Sequence, residues 1–235
     1  MSFRPPAPGT QPPYDVPAYG STHKRHPTQP LLRIDQTLTE TSAPRMTEAL
    51  YPAMANLAKG PGWEAQGEAM GERIIVAGRV LDEDGRPQAG AMVEVWQANA
   101  AGRYNHERDT HDAPLDPAFK GEGRVFTDAE GWYRYTTIRP GAYPWRNHVN
   151  AWRPVHIHYS LFGQGFAQRL VTQMYFPGDP LLPLDPIFNC VPDAAVRNRL
   201  VASFDLDVTQ PDHALGYRFD IVLRGRDATP MENTP

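Results

Sequence analysis

Proline is spread along the whole of this chain, and it restricts the possible fold more than any other feature of the sequence. The 235 residues include 25 prolines and 19 glycines. Proline interrupts helices and central strands, and glycine allows tight turns, so this composition favours short strands joined by irregular loops. Disorder is the alternative. Five Trp, ten Tyr and nine Phe residues, with a hydrophobic content of 40%, argue against disorder over most of the chain.

Apolar runs separated by turn signals predict a series of strands from residue 73 onwards. In AMVEVWQA, the side chains of Met92, Glu94 and Trp96 alternate with those between them, which is the two-residue period of a strand. Residues 84–87 carry a turn signal, and residues 128–131 carry a hairpin signal. Strands are also predicted in PVHIHYSLF, QRLVTQMYF and LGYRFDIVLR. Because helices do not alternate with these strands, we expect an all-β fold with an antiparallel β-sandwich core and long loops.

Helices are expected to be few and short. One is predicted near the C-terminal end, in PDAAVRNRLVASF, where Asp193 can cap the first turn. Another is predicted in TEALYPAMANLAKG, residues 47–60. We divide the chain into residues 1–70, an extended proline-rich N-terminal arm followed by an irregular segment, and residues 71–235, the β-sandwich domain.

The charge and the cysteine content exclude several classes of protein. The net charge is −4, without the basic patch expected for nucleic-acid binding or for an anionic membrane surface. The sequence lacks an apolar run of 18 residues, so we expect no transmembrane helix, and its first residues do not resemble a secretory signal. Cys190 is the only cysteine, which rules out an intrachain disulfide and fits a reducing compartment. We therefore expect a cytoplasmic protein.

The segment WRPVHIHYS contains two histidines separated by one residue. On a strand, His156 and His158 project from the same face about 6.5–7 Å apart, while Ile157 projects from the other. Imidazole is the commonest metal ligand in proteins, so this spacing is typical of half of a mononuclear metal site. The alternative is a pair of histidines on a solvated strand face.

The remaining ligands of such a site are left open by the residues alone. A carboxylate would complete the two-histidine, one-carboxylate site typical of Fe(II). The candidates of that class are Asp109, Asp112, Asp116 and Asp128. Tyrosine is the other possibility, because Tyr104 and Tyr143 are each framed by turn residues. Taken singly, each of the two is better explained as an ordinary core or surface phenol.

Three longer stretches together resemble the intradiol ring-cleaving dioxygenases. They are GERIIVAGRVLDEDGRPQAGAMVEVWQANAAGRY, GEGRVFTDAEGWYRYTTIRPGAYPWRN and WRPVHIHYSL, and the resemblance covers about residues 70–225. It is specific, because the four ligand positions of the family match in order at Tyr104, Tyr143, His156 and His158. The proline-rich arm, PLDPAF and YRFDIVLRG resemble the β chain of the family members that act on 3,4-dihydroxybenzoate. Catechol enzymes of the family carry a helical N-terminal segment instead.

The resemblance implies a non-haem Fe(III) bound by two tyrosinates, two histidines and a hydroxide or water. Two phenolates and one hydroxide balance the charge of ferric iron. The implied substrate is 3,4-dihydroxybenzoate, which binds as a dianion, displaces Tyr143, and is cleaved by O₂ between its two hydroxylated carbons. The product would be 3-carboxy-cis,cis-muconate, in the β-ketoadipate pathway of aromatic catabolism.

The resemblance also implies roles for residues that do not bind the metal. Arg153 would stabilise negative charge at the ring carbon that meets oxygen, because its guanidinium is always charged. Gln173 matches a glutamine on the oxygen-binding side. The family's substrate pocket matches Tyr19, Trp145 and Ile187. The ordinary alternatives are a salt-bridge arginine, a strand glutamine and core apolar residues.

No residue of this chain clearly matches a site for the substrate carboxylate. In the family, a homologous α chain without iron ligands helps to form that pocket, so the resemblance implies an α partner and a high-order αβ assembly. Two other functions stay open. One is a catechol or hydroxyquinol 1,2-dioxygenase, and the other is a non-enzymatic, transthyretin-like β-sandwich module, whose members lack the HIH pair.

Overall fold

The fold is known from a computed structural model, which describes residues 5–32, 34–35, 37–38, 42, 46–59, 67–146, 151–163 and 169–232. Eleven strands lie within these residues, and they form two main sheets and one small hairpin. The predicted all-β architecture is therefore confirmed.

The first sheet is built around one long strand. Its strands are β1 (Arg73–Leu81), β4 (Trp132–Ile138), β9 (Ser203–Phe204), β10 (Leu215–Arg218) and β11 (Ile221–Val222). Strand β1 pairs with β4 in antiparallel fashion, but it pairs with β10 and β11 in parallel. The expectation of antiparallel pairing is therefore wrong for these two pairs. Strand β1 ends at Leu81 and β10 begins only at Leu215, and two strands that pair in parallel must be joined by a long connection of this kind.

The second sheet carries the two histidines in an inner strand. It consists of β2 (Met92–Trp96), β3 (Glu122–Phe126), β7 (His156–Phe162) and β8 (Arg169–Tyr175), in the order β3-β2-β7-β8. All of its pairs are antiparallel. The turn predicted at residues 128–131 is present, with the Asp128 side chain accepting from the Trp132 amide. It is not a hairpin, because it connects β3 of this sheet to β4 of the other sheet.

The hydrophobic core lies between the two sheets. Ile74 and Val76 of β1 and Ile157 and Leu161 of β7 are completely buried within one apolar cluster. Because side chains alternate along a strand, His156 and His158 project from the opposite face of the second sheet, as predicted. His156 is nevertheless only 2% exposed, so this outer face must itself be covered.

A hairpin contributes to that cover. It is formed by β5 (Tyr143–Trp145) and β6 (Ala151–Arg153), in which Tyr143 pairs directly with Arg153. Turn residues frame Tyr143 in the sequence, but the residue begins a short strand. A three-residue strand that contains a proline shows no alternation that a pattern search could detect.

The helices are short. Within the described residues, α1 spans Pro186–Asn189 and α2 spans Ala194–Arg197, and single 3₁₀ turns span Thr22–Lys24, Leu57–Lys59, Leu182–Leu184 and Asn198–Leu200. Asp193 caps α2 as predicted, accepting hydrogen bonds from the backbone amides of Ala195 and Val196. None of the helices in this part of the chain is long and apolar enough to cross a membrane.

The helix predicted at residues 47–60 is wrong. Met54 forms a β-bridge with Arg124 of the second sheet, and Asn56 forms one with Thr136 of the first sheet. The backbone is therefore extended where the sequence favoured a helix, because its hydrogen-bonding groups are used by both sheets. Leu57, just beyond, belongs to the core. The division of the chain at residue 71 stays a prediction.

Candidate metal centre

Two phenol hydroxyls face two imidazoles at the outer face of the second sheet. The Tyr104 hydroxyl lies 3.1 Å from His158 Nε2, and the Tyr143 hydroxyl lies 3.2 Å from His156 Nε2. The two phenol rings are 5.3 Å apart, and the two imidazoles are 4.9 Å apart. Four side chains spread over 55 positions of the sequence are thus brought to one place.

The second ring nitrogen of each histidine has its own partner. His156 Nδ1 is 2.6 Å from the Pro154 carbonyl, and His158 Nδ1 is 3.2 Å from a carboxylate oxygen of Glu232. Both partners are acceptors, so each Nδ1 carries the proton and each Nε2 keeps its lone pair on the side of the tyrosines. The imidazoles are therefore prepared to act as ligands through Nε2.

Polar side chains hold the loop that carries Tyr104. The Asn99 side-chain oxygen accepts hydrogen bonds from the amides of Ala101 and Arg103, and its amide group donates to the Pro114 carbonyl. The Asp109 carboxylate accepts from the Tyr104 amide at 2.7 Å. Side-chain bonds of this kind fix irregular loops that lack a regular ladder.

Stacking and strand pairing fix the imidazoles from the sheet side. Trp96 of β2 is directly opposite His158 of β7, and their rings stack 4.8 Å apart with an angle of 4°. On the other side, His158 pairs in register with Gln173 of β8. The rotations of the ring are thus restricted by its neighbours on both strands.

Burial affects the titration of the site. It raises the pKa of Tyr104 well above the ordinary range, and the neighbouring Tyr143 adds to this effect. It also raises the pKa of Tyr143, although Arg153 acts in the opposite direction. The pKa of His156 is well below its usual value because of burial and because of Arg153 and His158. The phenolate forms therefore need a bound cation of high charge, which reverses this balance.

Arg153 lies directly opposite Tyr143 in the hairpin and belongs to a buried polar network. Its Nε donates to Asp185 at 2.9 Å, and its Nη2 donates to the Gln173 side-chain oxygen at 2.5 Å and to the Tyr175 hydroxyl at 3.2 Å. Burial would lower the pKa of Arg153, but Asp185 and the nearby tyrosines hold it well above the ordinary value. The guanidinium therefore stays charged beside the candidate metal ligands.

The three residues predicted for the substrate pocket also lie together. Tyr19 and Ile187 belong to one apolar cluster, against which Trp145 packs. The Tyr19 and Trp145 rings are 5.0 Å apart, and the Arg153 guanidinium is 5.5 Å from the Trp145 ring. The N-terminal arm thus reaches the site through Tyr19. The substrate-binding role of the three residues stays a prediction.

Several residues of the site were missed by the sequence analysis. Asp185, Tyr175 and Glu232 contact the predicted residues, but Asp185 and Glu232 lie in segments without a recognisable motif. The period of β8 could have indicated Tyr175, which is two residues after Gln173 and therefore on the same face. Of the carboxylates considered as ligands, Asp109, Asp116 and Asp128 accept hydrogen bonds from loop amides.

Comparison with known proteins agrees with this geometry. The family model described as "Dioxygenase" matches residues 46–225, and the model of the protocatechuate 3,4-dioxygenase β subunit N-terminal region matches residues 3–37. The protocatechuate 3,4-dioxygenase β chain of Burkholderia cepacia is 60% identical over 224 residues, covering 95% of this chain and 94% of that protein. The α chain from the same organism is 32% identical, covering 68% of this chain and 77% of that protein.

A solved structure shows the same fold. The 3-chlorocatechol 1,2-dioxygenase of Rhodococcus opacus superimposes with a TM-score of 0.55 at 25% identity, covering 72% of this chain and 64% of that one. The matched families, the identity over nearly the full length and the common fold have one explanation. The chain belongs to the family of intradiol ring-cleaving dioxygenases.

Proposed function

We propose that this chain is the iron-binding β chain of an enzyme that cleaves protocatechuate with O₂ to 3-carboxy-cis,cis-muconate. The observation that carries the proposal is the pairing of Tyr104 with His158 and of Tyr143 with His156, each at hydrogen-bond distance through Nε2. The identity to a protocatechuate 3,4-dioxygenase β chain supports the choice of substrate.

The donor set fits ferric iron. Two phenol oxygens and two imidazole nitrogens converge, and each imidazole has its other nitrogen engaged. Tyr104, Tyr143, His156 and His158 would hold the ion, and phenolate is a hard anion suited to a hard cation. Bound ferric iron would supply a Lewis acid that holds the diol as a dianion and so makes its ring reactive towards O₂.

The chain's own residues would bind, orient and neutralise the substrate. Tyr143 Oη would take one of the protons that the diol loses. The buried Arg153 guanidinium would stabilise negative charge on the ring, and Gln173, which accepts from it, would help to keep it in place. Tyr19, Trp145 and Ile187 would form an apolar wall for the ring.

An α partner is the second part of the proposal. Apolar side chains after residue 30 are unusually exposed, with Leu32 at 88%, Ile34 at 85% and Leu38 at 82%. Exposed apolar residues in such a group are typical of protein contacts. We propose that a homologous α chain covers them and completes the site for the substrate carboxylate.

The test is a comparison of metal content, colour and turnover. The chain co-expressed with its α partner should contain iron and absorb visible light by tyrosinate-to-Fe(III) charge transfer. Tyr104→Phe and Tyr143→Phe should each lose or shift this absorption, whereas the control Tyr51→Phe, at a 38% exposed tyrosine, should not.

Three results would contradict parts of the proposal. A folded, colourless protein without iron would favour the transthyretin-like module. A preference for catechol or hydroxyquinol over protocatechuate in oxygen-uptake assays would favour the other enzyme class. An active chain without any α partner would contradict the proposed assembly.

A further inference from the structure

A carboxylate from a distant segment contacts one of the candidate metal ligands from behind. Glu232 Oε2 lies 3.2 Å from His158 Nδ1, on the side of the ring away from Tyr104. The two side chains are 6% and 12% exposed. The contact therefore lies in the interior, where a carboxylate acceptor is strong and competition from water is weak.

The segment that carries Glu232 lies along the edge of the second sheet. The Glu232 amide donates to the Val171 carbonyl at 2.7 Å, and the Thr172 hydroxyl donates to the Pro230 carbonyl at 2.7 Å. Both partners belong to β8, which is the edge strand next to β7. The backbone position of Glu232 is thus set by the same sheet that presents His158.

The N-terminal arm holds this segment from the other side. The Gln11 side-chain oxygen accepts from the Met231 amide at 2.8 Å. The Ala7 amide donates to the Arg226 carbonyl at 3.4 Å, which continues the contact between the two segments. The arm therefore supports the backbone immediately before Glu232.

We propose that Glu232 is a positioning residue for His158, and that it holds the imidazole in the Nδ1–H form with Nε2 aimed at the metal. This inference rests on the proposed iron site. An acceptor on the distal nitrogen of a metal-bound histidine fixes its tautomer and orientation and makes it a stronger ligand. His156 has a backbone carbonyl in the same place, so the two histidines differ in the charge behind them.

The experiment measures iron release rather than activity. Wild-type protein with its α partner, Glu232→Gln and Glu232→Leu are loaded with iron and exposed to an excess of a strong chelator, and the visible absorption is followed. Glu232→Gln keeps the size of the side chain and a hydrogen-bond acceptor but removes the charge. Glu232→Leu removes the acceptor as well as the charge. We expect release about 10- to 100-fold faster in Glu232→Leu and a smaller increase in Glu232→Gln.

A matched control and a second variant complete the design. Glu83→Gln removes a carboxylate that is 9% exposed and paired with Arg224, far along the chain from His158, and it should leave iron release unchanged. Gln11→Ala keeps the Glu232 side chain but removes the hydrogen bond that the Met231 amide donates to Gln11. It should give a modest increase in the rate of iron release.

The outcomes separate the inference from the proposed function. Wild-type protein that binds no iron would overturn both. If the wild-type protein binds iron and both Glu232 variants release it at the wild-type rate, the inference alone is overturned.

Discussion

Arg153 and Asp185 form an ion pair in the interior of the protein. The guanidinium Nε lies 2.9 Å from the carboxylate Oδ1, and the side chains are 2% and 0% exposed. Asp185 also caps α1, since it accepts from the amides of Ile187 and Phe188. One carboxylate thus connects the candidate catalytic arginine to the helix that carries Ile187, a predicted pocket residue.

Replacement of Asp185 by Asn should destabilise the protein by about 3–5 kcal/mol. The change leaves the Arg153 charge buried without its anion, and removing one partner of a buried pair has a cost of this size. Urea unfolding monitored by tryptophan fluorescence measures it. Asp227→Asn is the control, because Asp227 forms an exposed pair with Arg199 and should change stability by about 0–1 kcal/mol. Equal effects of the two variants would contradict the prediction.

The conservative replacement Arg153→Lys should lower kcat about 10- to 100-fold without loss of iron. A lysine keeps the charge, but it lacks the planar fork that contacts Asp185, Gln173 and Tyr175 together, so the charge is misplaced beside the substrate. Oxygen uptake with protocatechuate and metal analysis on the same samples measure the two quantities. Arg169→Lys, at an arginine that lies over the Phe162 ring, is the control. Full activity of Arg153→Lys would disprove the role.

The sequence predicted the regular part of the site better than the irregular part. His156 and His158 follow from the strand period alone, because Ile157 must enter the core. Tyr104 and Tyr143 were candidates because turn residues frame them, but only the family resemblance selected them over the carboxylates, since loops and three-residue strands have no period. Asp185 and Glu232 could not be proposed at all, because their importance depends on contacts with residues 32 and 74 positions away. The parallel pairing of β1 with β10 and β11 was also not predicted, because the hydrophobic pattern of a strand does not specify the direction of the strand beside it.

Cys190 should resist alkylation in the folded protein. Burial and the neighbouring Asp185 raise the pKa of its thiol to about 12, and Sγ donates to the Ile187 carbonyl. The thiolate is the reactive form, so at pH 8 the folded protein should react far more slowly than the unfolded chain, whose thiol has a pKa of about 8.5. Iodoacetamide labelling followed by mass spectrometry, with and without urea, measures the difference. The chain has one cysteine, so the mass increase reports on this residue alone. Equal labelling rates in the two conditions would be incompatible with a buried thiol.

Gly102→Ala should separate the two tyrosines and reduce iron binding. Gly102 has a φ of +79°, and a Cβ there would lie 2.2 Å from the Ala142 carbonyl oxygen and 3.3 Å from Tyr143 Cβ. The loop that carries Tyr104 must therefore move away from the hairpin that carries Tyr143. We expect a weaker visible absorption and a lower iron content, in addition to a loss of stability.

Gly85→Ala is the matched control for this change. Gly85 has a nearly identical φ of +76°, but among the described residues a Cβ there meets nothing within 4 Å. It should therefore show only the cost of the left-handed conformation, about 1–2 kcal/mol, with normal iron content. The difference between the two variants isolates the close approach of the Tyr104 loop to the Tyr143 hairpin from the backbone strain that both variants share. If Gly102→Ala bound iron as Gly85→Ala does, this close approach would not be needed to bring Tyr104 and Tyr143 together.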